Sequence, residues 1–117
     1  MNTVSLIGNV GKEVKVTTLE DGKLVATFNV ATNENWIDKQ TGEAKTKTTW
    51  HRAIAWNKTA EKVRDYINKG NLVSIKGKLV NREYDKTIHH QISAKKTIDV
   101  VVKQYATEIK IFEIMKY

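Results

Sequence analysis

"TTWHRAIAWNKTAEKVRDYINKGNLVSIKGKLV", residues 48–80, changes its hydropathy period twice. Over 48–56 the side chains alternate with period two, and β-branched and aromatic residues are frequent, which predicts a strand. Trp50, Arg52, Ile54 and Trp56 share one parity, while His51, Ala53 and Ala55 share the other. In an extended strand these sets face opposite ways. From Asn57 the period lengthens. Ala60, Val63, Tyr66 and Ile67 recur at helical spacing and the other face is charged. Asn57 or Thr59 is placed to cap this helix and Gly70 to stop it. Alternation then returns, with Val73, Ile75, Gly77 and Leu79 on one face, and Ser74, Lys76, Lys78, Val80, Arg82 and Tyr84 on the other. A glycine inside that strand predicts a bend or bulge.

Outward from this unit, period-two patterns dominate. "TVSLIGNV" (3–10) predicts a first strand that closes on Gly8 and Gly11, and "EDG" (20–22) a turn. "KLVATFNVAT" (23–32) predicts a strand with Leu24, Ala26, Phe28 and Val30 on one face. A polar stretch from Asn33 to Thr48 holds a second turn, "DKQTGE" (38–43). Downstream, "TIHHQIS" (87–93) and "TIDVVVKQY" (97–105), joined by "AKK", predict a protruding hairpin, and "ATEIKIFEIMKY" (106–117) a last strand. The order is three strands, a helix, a strand, and a final strand after a long hairpin. It is that of an all-β OB-fold with one helix: a five-stranded Greek-key barrel, here with an extended hairpin between strands four and five. An α+β sandwich or another small barrel fits the pattern alone.

Composition sets the class. A chain of 117 residues suits one domain, 1–117, with no internal repeat or linker. At 40% hydrophobic and 28% charged it reads as globular rather than disordered. Absence of cysteine excludes a disulfide framework or thiolate metal site. Neither a signal-peptide pattern nor an apolar run near the roughly 20 residues of a membrane span is present, so a soluble cytoplasmic protein is expected. The formal net charge of +7 favours a polyanionic partner.

The aromatics sharpen that expectation. Trp36 precedes the polar turn, Trp50 and Trp56 flank Arg52 on one parity, and Tyr84 follows Arg82. Lys39, Lys45, Lys47, Lys58, Lys76, Lys78 and Lys86 lie around them. Phe28, Phe112 and the aliphatic residues can supply a core without the tryptophans. Unpaired bases offer flat faces for stacking while cations track phosphates; a duplex hides those faces. The candidate interface is therefore Trp36, Trp50, Trp56 and Tyr84 for stacking. The seven lysines with Arg52 and Arg82 are the candidates for phosphate, Arg52 also being placed to brace its strand. Ile54 shares the tryptophan parity, so either part of that face is buried or a bulge shifts the register.

Nothing points to catalysis. No HExxH, phosphate-cradling loop or nucleophile motif is present. Asp38, Glu43, Glu61 and Asp65 fall in a turn and on a helix, as solvated surface. His89 and His90 are adjacent and would face opposite ways in a strand, which is unsuited to chelating one metal. No catalytic residue, metal or cofactor is expected. Two other readings stay open: an OB-fold preferring single-stranded RNA, since no residue here reads a 2′-hydroxyl, and an oligomeric protein-interaction module with its tryptophans buried between subunits.

"VSLIGNVGKEVKV", "VATFNVATNENWIDKQTGE", "TTWHRAIAWNKTAEKVRDYINKGNLVSIKGKLVNREY" and "ATEIKIFEIMKY" resemble the bacterial single-stranded DNA-binding protein family in order and spacing. The resemblance implies an OB-fold that assembles as a homotetramer and binds single-stranded DNA with little sequence preference, in replication, recombination and repair. A dimer would satisfy the same residues. The family's stacking positions fall on Trp36, Trp50, Trp56 and Tyr84; the third is usually phenylalanine and the fourth usually tryptophan. His51, in the Trp50-His51 dipeptide, is implied to lie near a subunit interface, as is the first strand with Val4 and Leu6. A usual basic position is here Val80. The segment between Tyr84 and Tyr105 is longer than the family's. The sequence stops at Tyr117, where the family usually continues into a linker and an acidic tip. The resemblance thus implies no recruitment of repair enzymes through such a tip.

Overall fold

Two short strands at the N-terminus share one long neighbour. In the computed structural model, which describes residues 1–117, β1 (Val4–Val10) and β2 (Lys15–Thr18) lie in succession along β3 (Leu24–Ile37). The chain continues through β4 (Ala44–Trp56), α1 (Asn57–Tyr66), β5 (Leu72–Ser93) and β6 (Lys96–Lys116). The sheet order is β1-β5-β6-β4-β3-β2, and the additional β1–β3 pairing closes the sheet on itself. All pairings are antiparallel except β4 with β6. This is the OB-fold barrel, its first strand broken at Gly11 into β1 and β2.

The core follows the predicted parities. Ala26, Phe28 and Val30 of β3, Ala53 and Ala55 of β4, Val73 and Ile75 of β5, and Ile109, Ile111 and Ile114 of β6 fill the barrel. Ala60, Val63 and Ile67 cover one end. Gly77 sits where β5 meets a bulge: Lys76 pairs with Glu113 and Gly77 with Ile111, leaving Phe112 over. A side chain at Gly77 would run into the Lys110 carbonyl, so the close approach of β5 and β6 requires glycine. The bulge turns Phe112 outward, 59% exposed, so Phe112 is not part of the core as its sequence position suggested.

The helix differs from its expected ends. No side chain caps it. Asn57 is its first residue and takes φ 52°, the left-handed region that asparagine tolerates. That single residue turns the chain from β4 into α1, so Asn57 serves by its backbone rather than as a side-chain cap. Tyr66 is exposed instead of joining the core, because α1 ends there and the chain leaves in extended geometry at Ile67.

Two hairpins extend from the barrel. The polar stretch 33–48 is mostly strand, with only the tip at 38–43 as turn. Side-chain bonds between directly opposed residues hold it: Thr46 Oγ1 donates to Asn35 Oδ1 at 2.8 Å and Thr48 Oγ1 to Asn33 Oδ1 at 2.6 Å. The second hairpin is the uninterrupted continuation of β5 and β6, paired out to Ser93 and Lys96. It is therefore not a separate insertion before a last strand. These projections raise the radius of gyration to 18.7 Å, against about 13 Å for a compact chain of this length.

Candidate nucleic-acid interface

Small residues inside β4 put its large residues outside. Ala53 and Ala55 are fully buried, so Trp50, Arg52, Ile54 and Trp56 point away from the barrel. The β3–β4 register runs without a shift from Val25–Trp56 to Ile37–Ala44. The position of Ile54 is thus settled without a bulge: it lies on the outer face, half-buried, between Thr27 and Lys110. Those registers continue through Lys15 opposite Thr27 and Lys78 opposite Lys110. Lys15, Ile54, Lys110 and Lys78 therefore form one row across the outer sheet.

Beside this row is an open concavity of about 590 Å³, lined by Lys12, Lys15, Asn29, Trp50 and Arg52 among others. Trp50 is 60% exposed, and its ring rests on the backbone of Gly11. A Cβ there would lie 2.8 Å from the ring's Cζ3. The break between β1 and β2 thus seats the indole on one side and leaves the other open.

The two arginines are tied down. Glu108, 2% exposed, is the buried charge of the chain. Arg52 Nε donates to its Oε2 at 3.0 Å and Arg82 Nε to its Oε1 at 2.6 Å. Burying a carboxylate is costly unless charge-assisted hydrogen bonds offset the lost hydration, and each oxygen has one. Arg82 also lies over the Tyr84 ring, 5.1 Å from its centroid. Arg52 and Arg82, both expected to meet phosphate, are thus each tied through Nε to this one carboxylate. They are half-exposed members of a group with net charge +1.

Trp36 belongs to another face. It is opposite Lys45 and shares its parity with Lys47 and His51, whereas Trp50 and Arg52 have the other parity. The four candidate rings therefore do not form one continuous platform. Trp50, Trp56 and Tyr84 lie on the outer barrel surface, and Trp36 lies on the reverse of the β3–β4 hairpin. Lys39 is in the hairpin tip. Lys45 is held 3.2 Å from Asp38, whose carboxyl is kept below its ordinary value by the Gln40 backbone N–H first and by Lys45 second. Lys47 and Lys76 are exposed, Lys58 opens α1, and Lys86 starts the outer part of the long hairpin.

Three cations of this surface escaped the sequence reading: Lys12, Lys15 and Lys110. A period-two signal was there for two of them. Lys15 lies between the core-packed Val14 and Val16, and Lys110 between Ile109 and Ile111. Among the expected interface residues, His51 is half-buried with its Nε2 2.8 Å from Thr32 Oγ1. Val4 and Leu6 pack against the core, so the outward apolar side chain of β1 is Ile7, 58% exposed.

Residues 1–112 match the Single-strand binding protein family. A Plasmodium falciparum SSB solved in complex with ssDNA is 31% identical, with a TM-score of 0.77 over all of this chain and 95% of that one. A deletion variant of the single-stranded DNA binding protein from Thermus aquaticus is 20% identical, with a TM-score of 0.75 over all of this chain and 50% of that one, a likeness of fold.

Proposed function

This chain belongs to the Single-strand binding protein family, and we propose that it binds and protects single-stranded DNA without sequence specificity during replication, recombination and repair. It is a binding protein and not an enzyme. One observation carries the assignment of the surface: Trp50, held on Gly11 with its other side open, borders a concavity that also contains Lys12, Lys15 and Arg52. Bases stack on Trp50, Trp56 and Tyr84, while Lys12, Lys15, Lys76, Lys78 and Lys110 meet phosphates. The β3–β4 hairpin supplies Trp36 with Lys39, Lys45 and Lys47 on its reverse, so a strand that uses both sets must pass around that hairpin. Lys58 and Lys86 lie at the margins of this path. Trapping of the open strand melts weak hairpins by mass action, without a nucleotide cofactor.

The DNA-binding domain spans 1–117 and acts as a homo-oligomer on nucleoid DNA in the cytoplasm. A tetramer is the assembly that the family resemblance implies. Exposed Ile7 and Phe112 are apolar groups for such contacts, and the family resemblance adds His51. Sedimentation of the full chain would show a single slow species if the protein is monomeric, which would refute the oligomer. No helix is long and apolar enough to cross a membrane.

The test of binding uses the tryptophans. Indole emission is followed during titration with an unstructured thymidine oligomer and, separately, with duplex, at low and high salt. Strong quenching by the single strand alone is expected. If about five phosphates are neutralised per protomer, log K falls against log salt with a slope near −3.5. Unchanged emission and no binding at low salt would refute the assignment.

A further inference from the structure

On the reading that the outer barrel face binds single-stranded DNA, we infer that Glu108 is a positioning residue for that binding, acting through Arg82 on the Tyr84 ring. A buried carboxylate on a DNA-binding face is unfavourable by charge alone. It repels phosphate and cancels one of the two arginines. Its immediate surroundings are cationic: Arg52 and Arg82 are bound to it, and Lys110 and Lys78 lie opposite one another one outward position further along the sheet.

The geometry gives it a use. Glu108 is on β6, between β4 and β5, and each of its oxygens takes one Nε. A long arginine side chain otherwise samples many rotamers, and ordering it during binding costs conformational entropy. Here Arg82 is fixed before DNA arrives. It lies over Tyr84 and defines one side of that ring. Arg52 is fixed in the same way beside Trp50 in the concavity. The carboxylate thus exchanges long-range attraction for two pre-set guanidiniums and an oriented ring.

Charge counting and positioning predict opposite signs for one substitution. Glu108→Gln raises the net charge by one, so charge alone predicts tighter binding and a steeper salt slope. Positioning predicts weaker binding that persists at high salt, where the stacking part remains. The experiment titrates the full chain, Glu108→Gln, Arg82→Lys and the double variant with a thymidine oligomer over a range of salt, with thermal melting of each. Glu108→Gln is expected to bind about tenfold more weakly at high salt, a fraction of the general stacking contribution, with no shallower salt slope. Arg82→Lys keeps the charge but not the planar fork, and is expected to lose a similar factor. The double variant should be no weaker than the worse single, since both act through one group.

Binding by Glu108→Gln that equals or exceeds wild type at every salt would overturn the inference. So would additive losses, or wild-type affinity in Arg82→Lys, and the last holds even if Glu108→Gln does not fold. Failure of the unaltered chain to bind the oligomer would instead remove the DNA-binding reading on which the inference rests.

Discussion

At Ala53 and Ala55 the barrel is narrow enough that methyl groups fill it, and their neighbours Trp50, Arg52 and Trp56 are outside for that reason. Substitutions on the two parities should therefore separate stability from binding. Ala53→Leu forces extra volume into a filled core and should cost about 1–3 kcal/mol, seen as a lower denaturant midpoint with little change in affinity of the folded fraction. Trp50→Ala should do the reverse. Its melting temperature should stay close to wild type, and its affinity for a thymidine oligomer should fall by about 1–3 kcal/mol, roughly 5- to 150-fold. That magnitude is the general one for aromatic stacking in single-strand binders, this family included. Equal affinity in Trp50→Ala would place the bases elsewhere. The ion pairs also had no local signal: Glu108 is 56 residues from Arg52 and 26 from Arg82, and they meet only because β6 runs parallel to β4 on one side and antiparallel to β5 on the other.

Elements were legible where the period was regular and less so where side chains overrode propensity. Strands β1, β3, β4 and β5 and helix α1 followed from alternation and from helical spacing. The stretch 33–48 looked like a polar loop because asparagine, aspartate, lysine and glutamate are weak strand signals. Opposed across a ladder, asparagine and threonine bond to each other and become strand. The tip of that hairpin depends on Asp38, which accepts the Gln40 backbone N–H at 2.8 Å and pairs with Lys45. Its carboxyl is lowered from 3.8 in the fold, so the ionised form is favoured there. Its contribution is fully present above the unfolded value and is lost as pH falls through the lowered one. The protection factor of the Gly42 amide, whose N–H donates to the Asp38 carbonyl, should fall below about pH 4 and at neutral pH in Asp38→Ala. At the bulge, Gly77→Ala should lower stability by about 1–3 kcal/mol, since the new Cβ meets the Lys110 carbonyl. A midpoint equal to wild type would mean that the backbone yields there at no cost.

Over the whole molecule, the hydrophobic core belongs to the barrel and not to the long hairpin. Every residue of the core cluster lies outside 80–108. A free two-stranded ribbon adds little stability of its own. Replacing residues 87–101 by a two-residue Asn-Gly turn between Lys86 and Val102, which face each other, should leave cooperative unfolding near the wild-type midpoint. The radius of gyration in solution should decrease. Collapse of the barrel on this deletion would show that the ribbon is part of its fold. The deletion leaves Ile7 and Phe112 in place, so if the proposed oligomer forms through them, sedimentation of the shortened chain should give the same species as the full chain.

Local chemistry determined which segments are strands, where the helix falls, which face of each is apolar, and that rings and cations alternate on the other face. Parity and spacing carry that information, because side-chain direction is set by backbone geometry within a few residues. Tertiary structure alone decided that Trp36 and Trp50 occupy different faces of one hairpin, that Lys12, Lys15 and Lys110 join the same surface, and that Arg52 and Arg82 converge on one carboxylate. These depend on register between strands remote in sequence and on how the barrel closes, and no local pattern contains either.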